Sequence, residues 1–133
     1  MKEVVAIVRM NKMNQTKQSL ADVGFPALNA VKVLGRGKGQ VDYRLLRGAE
    51  SGAEEAIAQL GLGPQLIPKR MVSLVVTDEK VPLVVRTIID CNQTGQAGDG
   101  KIFVLPVSDA LRIRTGESGD AAIDGGDEGR VAP

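Results

Sequence analysis

Val4-Val5-Ala6-Ile7-Val8 is an unbroken apolar run between Glu3 and Arg9, and four of its residues are β-branched. Such a run predicts a strand, with successive side chains pointing to opposite faces. This strand is apolar on both faces, so both need cover. What can supply the two covers is the main constraint on the fold.

The rest of the chain supplies one of them. Leu28–Leu34 predicts a second strand, ended by the glycines from Gly35 to Gly39. Met71–Thr77 predicts a third, with Val72, Leu74 and Val76 on one face. Ile102–Val107 predicts a fourth. Met13, Thr16, Leu20 and Val23 recur at helical spacing between the first two strands, with Asn14 placed as N-cap and Gly24 as the stop. Val81, Val84, Val85 and Ile88 make a second helical stripe. Thr77 or Asp78 is placed to cap it, and Pro82 falls in its first turn, where proline is tolerated. The order is β-α-β, a long polar segment, then β-α-β. That predicts an α+β, ferredoxin-like βαββαβ fold, an antiparallel sheet with both helices on one face. The other face stays apolar and open, which monomers rarely tolerate. A homo-oligomer that buries it is expected.

Residues 36–70 are too long for an ordinary connection. They open with basic residues, Arg36, Lys38, Arg44 and Arg47, and run on to a segment from Ser51 to Leu60 that can form a short helix. A functional loop is expected there. Residues 1–123 read as one domain and 124–133 as a mobile acidic tail.

Composition removes several functions. The 133 residues carry 17 basic and 16 acidic side chains, a net charge of +1. Bulk electrostatic binding to nucleic acid usually needs a strongly basic domain. Aromatics are 2% of the chain and Trp is absent, which leaves little for stacking bases. There is no His, and Cys91 is the one cysteine, so His catalysis, Cys-cluster zinc and internal disulfides are excluded. No apolar run approaches the roughly 20 residues a membrane helix requires. A soluble, cytoplasmic protein with no membrane insertion and no nucleic-acid partner is expected.

Three clusters could carry chemistry. Gly35-Arg36-Gly37-Lys38-Gly39-Gln40 sets backbone N–H groups and an ammonium close together. It lacks Walker spacing, and a flexible loop base is the plain alternative. Thr94-Gly95-Gln96-Ala97-Gly98-Asp99-Gly100-Lys101 offers the same kind of donors just before a strand, the alternative being a geometric turn. In Arg112-Ile113-Arg114-Thr115-Gly116-Glu117, alternation places Arg112 and Arg114 on one side of an extended segment, suited to a polyphosphate. A solvated charged edge is the alternative. All three offer anion-binding groups and none a nucleophile–base pair. A nucleotide triphosphate site without hydrolytic machinery follows.

Residues 94–104, Arg112-Ile113-Arg114-Thr115-Gly116-Glu117 with Ala122-Ile123, and Arg47-Gly48-Ala49-Glu50 resemble the nitrogen regulatory P-II signalling proteins over roughly residues 1–123. The resemblance implies a trimer with ATP or ADP in clefts between subunits. It implies phosphate contacts from Gly37, Lys38, Gly98, Asp99, Gly100, Lys101, Arg112 and Arg114, with Arg112 reaching across the subunit boundary. Ala27, Leu28, Asn29 and Val75 would line adenine and ribose. It further implies 2-oxoglutarate beside the nucleotide, bridged by Mg²⁺ and paired with Lys69.

Two positions depart from the family pattern. Gly39 stands where the family carries a metal-binding Gln, and Gln40 follows it as the candidate replacement at the Mg²⁺ and 2-oxoglutarate site. The long loop, the T-loop of the family, has Ser51 where some members have a modified tyrosine. Arg9-Met10-Asn11-Lys12, Val33-Leu34-Gly35-Arg36-Gly37-Lys38-Gly39, Leu66-Ile67-Pro68-Lys69-Arg70-Met71 and Val104-Leu105-Pro106-Val107-Ser108-Asp109 are similar to the nitrogenase-associated branch, as the second of its two paralogues. That implies a homotrimer or a hetero-oligomer with the paralogue. It also implies docking on the dinitrogenase component of nitrogenase through Arg44, Arg47, Glu50, Ser51, Glu54 and Glu55. The alternatives are a P-II regulator of another target, such as an ammonium transporter, and a small nucleotide-hydrolysing ferredoxin-like enzyme.

Overall fold

The computed structural model describes residues 1–36 and 66–123. Its elements run β1 (Lys2–Arg9), α1 (Met13–Asp22), β2 (Asn29–Gly35), β3 (Ile67–Val76), α2 (Val81–Asn92) and β4 (Lys101–Pro106). The strands form one antiparallel sheet in the order β2-β3-β1-β4. This is the expected ferredoxin-like α+β arrangement.

β1 lies inside the sheet, as its two apolar faces require. Val4, Ala6 and Val8 face the helices with Val72, Leu74 and Val76 of β3. Met13 and Leu20 of α1 and Val84 and Ile88 of α2 close this core. Full burial of each Val, Leu or Ile contributes about 1.5–3 kcal/mol. Thr16, also fully buried, donates to the Lys12 carbonyl at 2.8 Å. Asn92 Nδ2 donates to Thr16 Oγ1 at 3.0 Å, which ties the two helices together. Cys91, on α2, is half-buried, with its sulfur 3.7 Å from Thr16 Oγ1.

On the opposite face, Val5, Ile7, Met71 and Val75 are half-buried, while Val31, Phe103 and Leu105 are exposed. Phe103 pairs with Val5, and Val31 pairs with Met71, so these side chains form one apolar surface.

Several local expectations change. Short 3₁₀ turns, Met10–Lys12 and Asp78–Lys80, lead into the helices, and neither turn nor helix has a side-chain cap. Asn14 therefore lies inside α1. Asp78 faces the Met1 ammonium at 3.0 Å and Lys2 at 3.9 Å instead of capping α2. Val23 falls outside the α1 stripe and is exposed, because the helix ends at Asp22 and Gly24 turns the chain at φ +103°. β3 begins at Ile67, so residues 67–70 belong to the sheet and not to the loop. Pro68 lies one residue beyond the last β1 pair, Arg9↔Lys69, where its missing N–H costs β1 nothing. The Ser51–Leu60 segment and the acidic tail lie outside the described residues.

Candidate functional site

Antiparallel pairing brings the last residue of β1, the first residues of β3 and β4, and the end of β2 to one end of the sheet. Arg9 pairs with Lys69, Lys69 with Val33, and Ile7 with Lys101. The loop from α2 to β4, residues 93–100, arrives at the same end.

That loop is built around Asp99. Its carboxylate accepts from the Thr94 hydroxyl, from the Thr94 N–H at 2.8 Å and from the Gly95 N–H at 2.9 Å. It also accepts from one nitrogen of Arg9, whose second terminal nitrogen donates to the Ala97 carbonyl at 3.0 Å. The Thr94 hydroxyl and N–H, then Arg9 and the Gly95 N–H, hold the Asp99 carboxyl well below the usual carboxylate range, against a smaller opposing effect of burial. The carboxylate is thus engaged in organising the loop.

Gly100 sits at φ +108°, and a Cβ there would lie 1.8 Å from the Ile7 carbonyl oxygen. Only glycine lets the loop approach β1 this closely. Gly98, at φ +97°, turns its carbonyl to the Lys69 ammonium, 2.8 Å away.

Lys69 is 5% exposed, and the Gly98 carbonyl is its hydrogen-bond acceptor. Burial lowers its proton affinity, the charge of Arg9 lowers it further, and Asp99 partly offsets both. Among the described residues, two cations thus face one carboxylate. Beside them lies a cavity of about 390 Å³ lined by Arg9, Met10, Asn11, Ile67, Pro68, Lys69, Ala97 and Gly98. A buried cation in excess calls for an anion.

The candidate residues do not all come together. Gly98, Asp99, Gly100, Lys101 and Lys69 share one end of the sheet. Ala27, Leu28 and Asn29 lead into β2 at the other end, where Asn29 pairs with Ser73 close to Val75. Val75 lies six residue steps along β3 from Lys69, about 20 Å. Gly37, Lys38, Gly39, Gln40, Arg44, Arg47, Glu50, Ser51, Glu54 and Glu55 lie outside the described residues. Among the described residues no acidic or Cys cluster could hold a metal.

The arginine pair is not on one side of an extended segment. Residues 113–115 form a turn closed by a Leu111↔Ser118 bridge. Gly116, at φ +76°, donates to the Arg112 carbonyl at 2.7 Å. Arg112 folds inward onto Glu117 at 3.2 Å and onto the Ala121 and Ala122 carbonyls. Arg114 is exposed, with no hydrogen bond or ion pair among the described residues. Thr115-Gly116 is a turn signal inside that segment, and Gly116 takes a positive φ there. Arg9 was not among the candidates, although a basic residue directly after a buried run is where a strand end reaches a loop.

A ferredoxin-like sheet with a glycine-rich loop tied to paired cations defines a class. The family model for nitrogen regulatory protein P-II matches residues 1–117, and the chain belongs to this family. Within it, the chain is similar to the nitrogen fixation nifHD region GlnB-like protein 2 of Methanococcus maripaludis. The two are 49% identical over 123 residues, 92% of this chain and 100% of that one. The Methanobacterium ivanovii protein of the same name is 47% identical over 128 residues, 92% of this chain and 99% of that one. The crystal structure of Arabidopsis thaliana PII bound to citrate superposes with a TM-score of 0.68 at 32% identity, covering 92% of this chain and 88% of that one.

Proposed function

We propose that this chain is a nitrogen-status sensor that binds ATP or ADP together with 2-oxoglutarate and regulates nitrogenase through its long loop, without turning over substrate. The observation that carries this reading is Lys69, a buried ammonium with a neutral carbonyl as acceptor and Arg9 alongside, at a cavity next to the 94–101 loop. A small dicarboxylate would supply the missing negative charge. The relative solved with citrate, itself a small polycarboxylate, is in keeping with this.

Nucleotide phosphates would lie against the backbone of Gly98–Gly100 and the exposed Lys101, joined by Gly37 and Lys38. Adenine would lie against Ala27, Leu28, Asn29 and Val75. Since Val75 lies about 20 Å along β3 from Lys69, at the far end of the sheet from the 98–101 segment, the reading places the two groups in a cleft shared by two copies. A trimer that buries the open apolar face would form such clefts, and Arg112 and Arg114 would join from the neighbour. Asp99 is engaged within its loop, so Mg²⁺ would take ligand oxygens and Gln40, as this cation usually does beside phosphates. When bound, the cation would supply positive charge to both effectors, and their affinities would be linked by about 1–3 kcal/mol.

The 36–66 segment starts at the same end of the sheet, so effector binding there would select its conformation. The names of the nitrogen-fixation relatives favour the dinitrogenase component as partner over an ammonium transporter. The test is nitrogenase activity titrated with wild-type protein and with a variant lacking residues 44–65. Wild type should inhibit, and ATP with 2-oxoglutarate should relieve the inhibition. The deletion variant should bind ATP but not inhibit. Inhibition by the deletion variant would overturn the loop's role.

A further inference from the structure

We infer that Arg9 is a positioning residue for the nucleotide site, clamping the 94–101 loop onto the sheet through Asp99 and Ala97. This rests on the reading of that loop as the phosphate cradle. Arg9 ends β1 directly after Val8, which is 1% exposed, so its backbone is fixed by the core. Its fork meets two different groups of the loop, the Asp99 carboxylate and the Ala97 carbonyl. A planar guanidinium can hold two acceptors at once, whereas an ammonium on a flexible stem is less suited to both.

The other bonds to Asp99 come from Thr94 and Gly95, inside the loop. Removing Arg9 therefore leaves the loop's internal shape in place and cuts one tie between loop and sheet. Lys69, through Gly98, is a second tie. The Arg9 and Asp99 side chains are 25% and 23% exposed, so water reaches what the substitution leaves behind. The expected consequence is misplacement of the cradle with little loss of fold.

The test is calorimetric titration of ATP·Mg²⁺ into wild type, Arg9→Met, Asp99→Asn and the double variant, each checked by thermal melting. Arg9→Met should weaken binding about tenfold, the scale of a charge-assisted hydrogen bond, with only a small change in melting. In the Asp99→Asn background the same substitution should cost less, because the charge-assisted part of the shared contact is already lost while the bond to Ala97 remains. Arg9→Lys should fall between wild type and Arg9→Met. Should Arg9→Met not fold, Arg9→Lys carries the comparison against wild type. Undiminished binding in the Arg9 variants, or losses that multiply in the double variant, would overturn the role of Arg9 and leave the nucleotide site standing. A wild type that binds no nucleotide would overturn both.

Discussion

The Lys69 ammonium donates to the Gly98 carbonyl at 2.8 Å, joining the start of β3 to the loop before β4 across 29 positions of sequence. The ammonium has two further N–H donors, so a ligand carboxylate can take Lys69 while the tie to this loop stays. Lys69→Met should weaken 2-oxoglutarate binding by about 2–5 kcal/mol, as truncating one member of a buried charged pair does. ATP binding without 2-oxoglutarate should persist, weakened only by loss of this second tie on the loop. Paired titrations read both, and equal loss of the two ligands would contradict this division.

The same lysine sets a pH dependence. Burial and Arg9 lower its proton affinity, so it loses its charge below the ordinary lysine value of about 10.4. Binding of 2-oxoglutarate to wild type should fall as pH rises through the alkaline range, beginning before that value. Lys69→Arg, which stays charged, should bind with a flat profile. Calorimetry between neutral and alkaline pH distinguishes the two.

Asp99 carries a second pH effect, of opposite sense. Its folded-state proton affinity is depressed by the Thr94, Arg9 and Gly95 bonds. The stability it contributes is complete above the unfolded value of about 3.9 and is lost as pH falls below it. Denaturant melts of wild type and Asp99→Asn should therefore converge in acid and differ at neutral pH.

Gly100 allows no side chain. With φ at +108° and a hypothetical Cβ 1.8 Å from the Ile7 oxygen, Gly100→Ala must move the loop off β1. The combined strain and overpacking should cost about 2–4 kcal/mol, read by chemical denaturation, and nucleotide binding should fall with it. Gly95→Ala, which has open space but φ +83°, should cost less.

Phe103 and Val31 expose apolar surface on the face away from the helices. Phe103→Lys places a charge on that face without touching the buried core. Sedimentation should find wild type as an oligomer and the variant shifted toward monomer. An unchanged mass would contradict burial of this face between copies.

The architecture was legible because β1 and the helical stripes of α1 and α2 announce themselves locally. What failed was also local. The long segment was expected to run to residue 70, yet Pro68 sits just past the last β1 pair, so β3 extends further back than its apolar run. Arg112 and Arg114 looked aligned only while the chain was taken as extended, and Gly116 turns it. Lys69 and the 98–101 segment were singled out from motif, and the fold brings them to one end of the sheet. Arg9 was not, since its partner lies 90 positions away and neither residue alone signals a pair. Asp99 was visible as a residue, but its engagement by Thr94 and Gly95 depends on how the loop folds back.

The most direct measurement is calorimetric titration of 2-oxoglutarate into the purified protein with and without ATP·Mg²⁺. The account predicts binding only when ATP·Mg²⁺ is present, lost in Lys69→Met. If ATP binds while 2-oxoglutarate does not bind under either condition, the buried lysine serves the loop alone and this chain is not the carbon–nitrogen sensor.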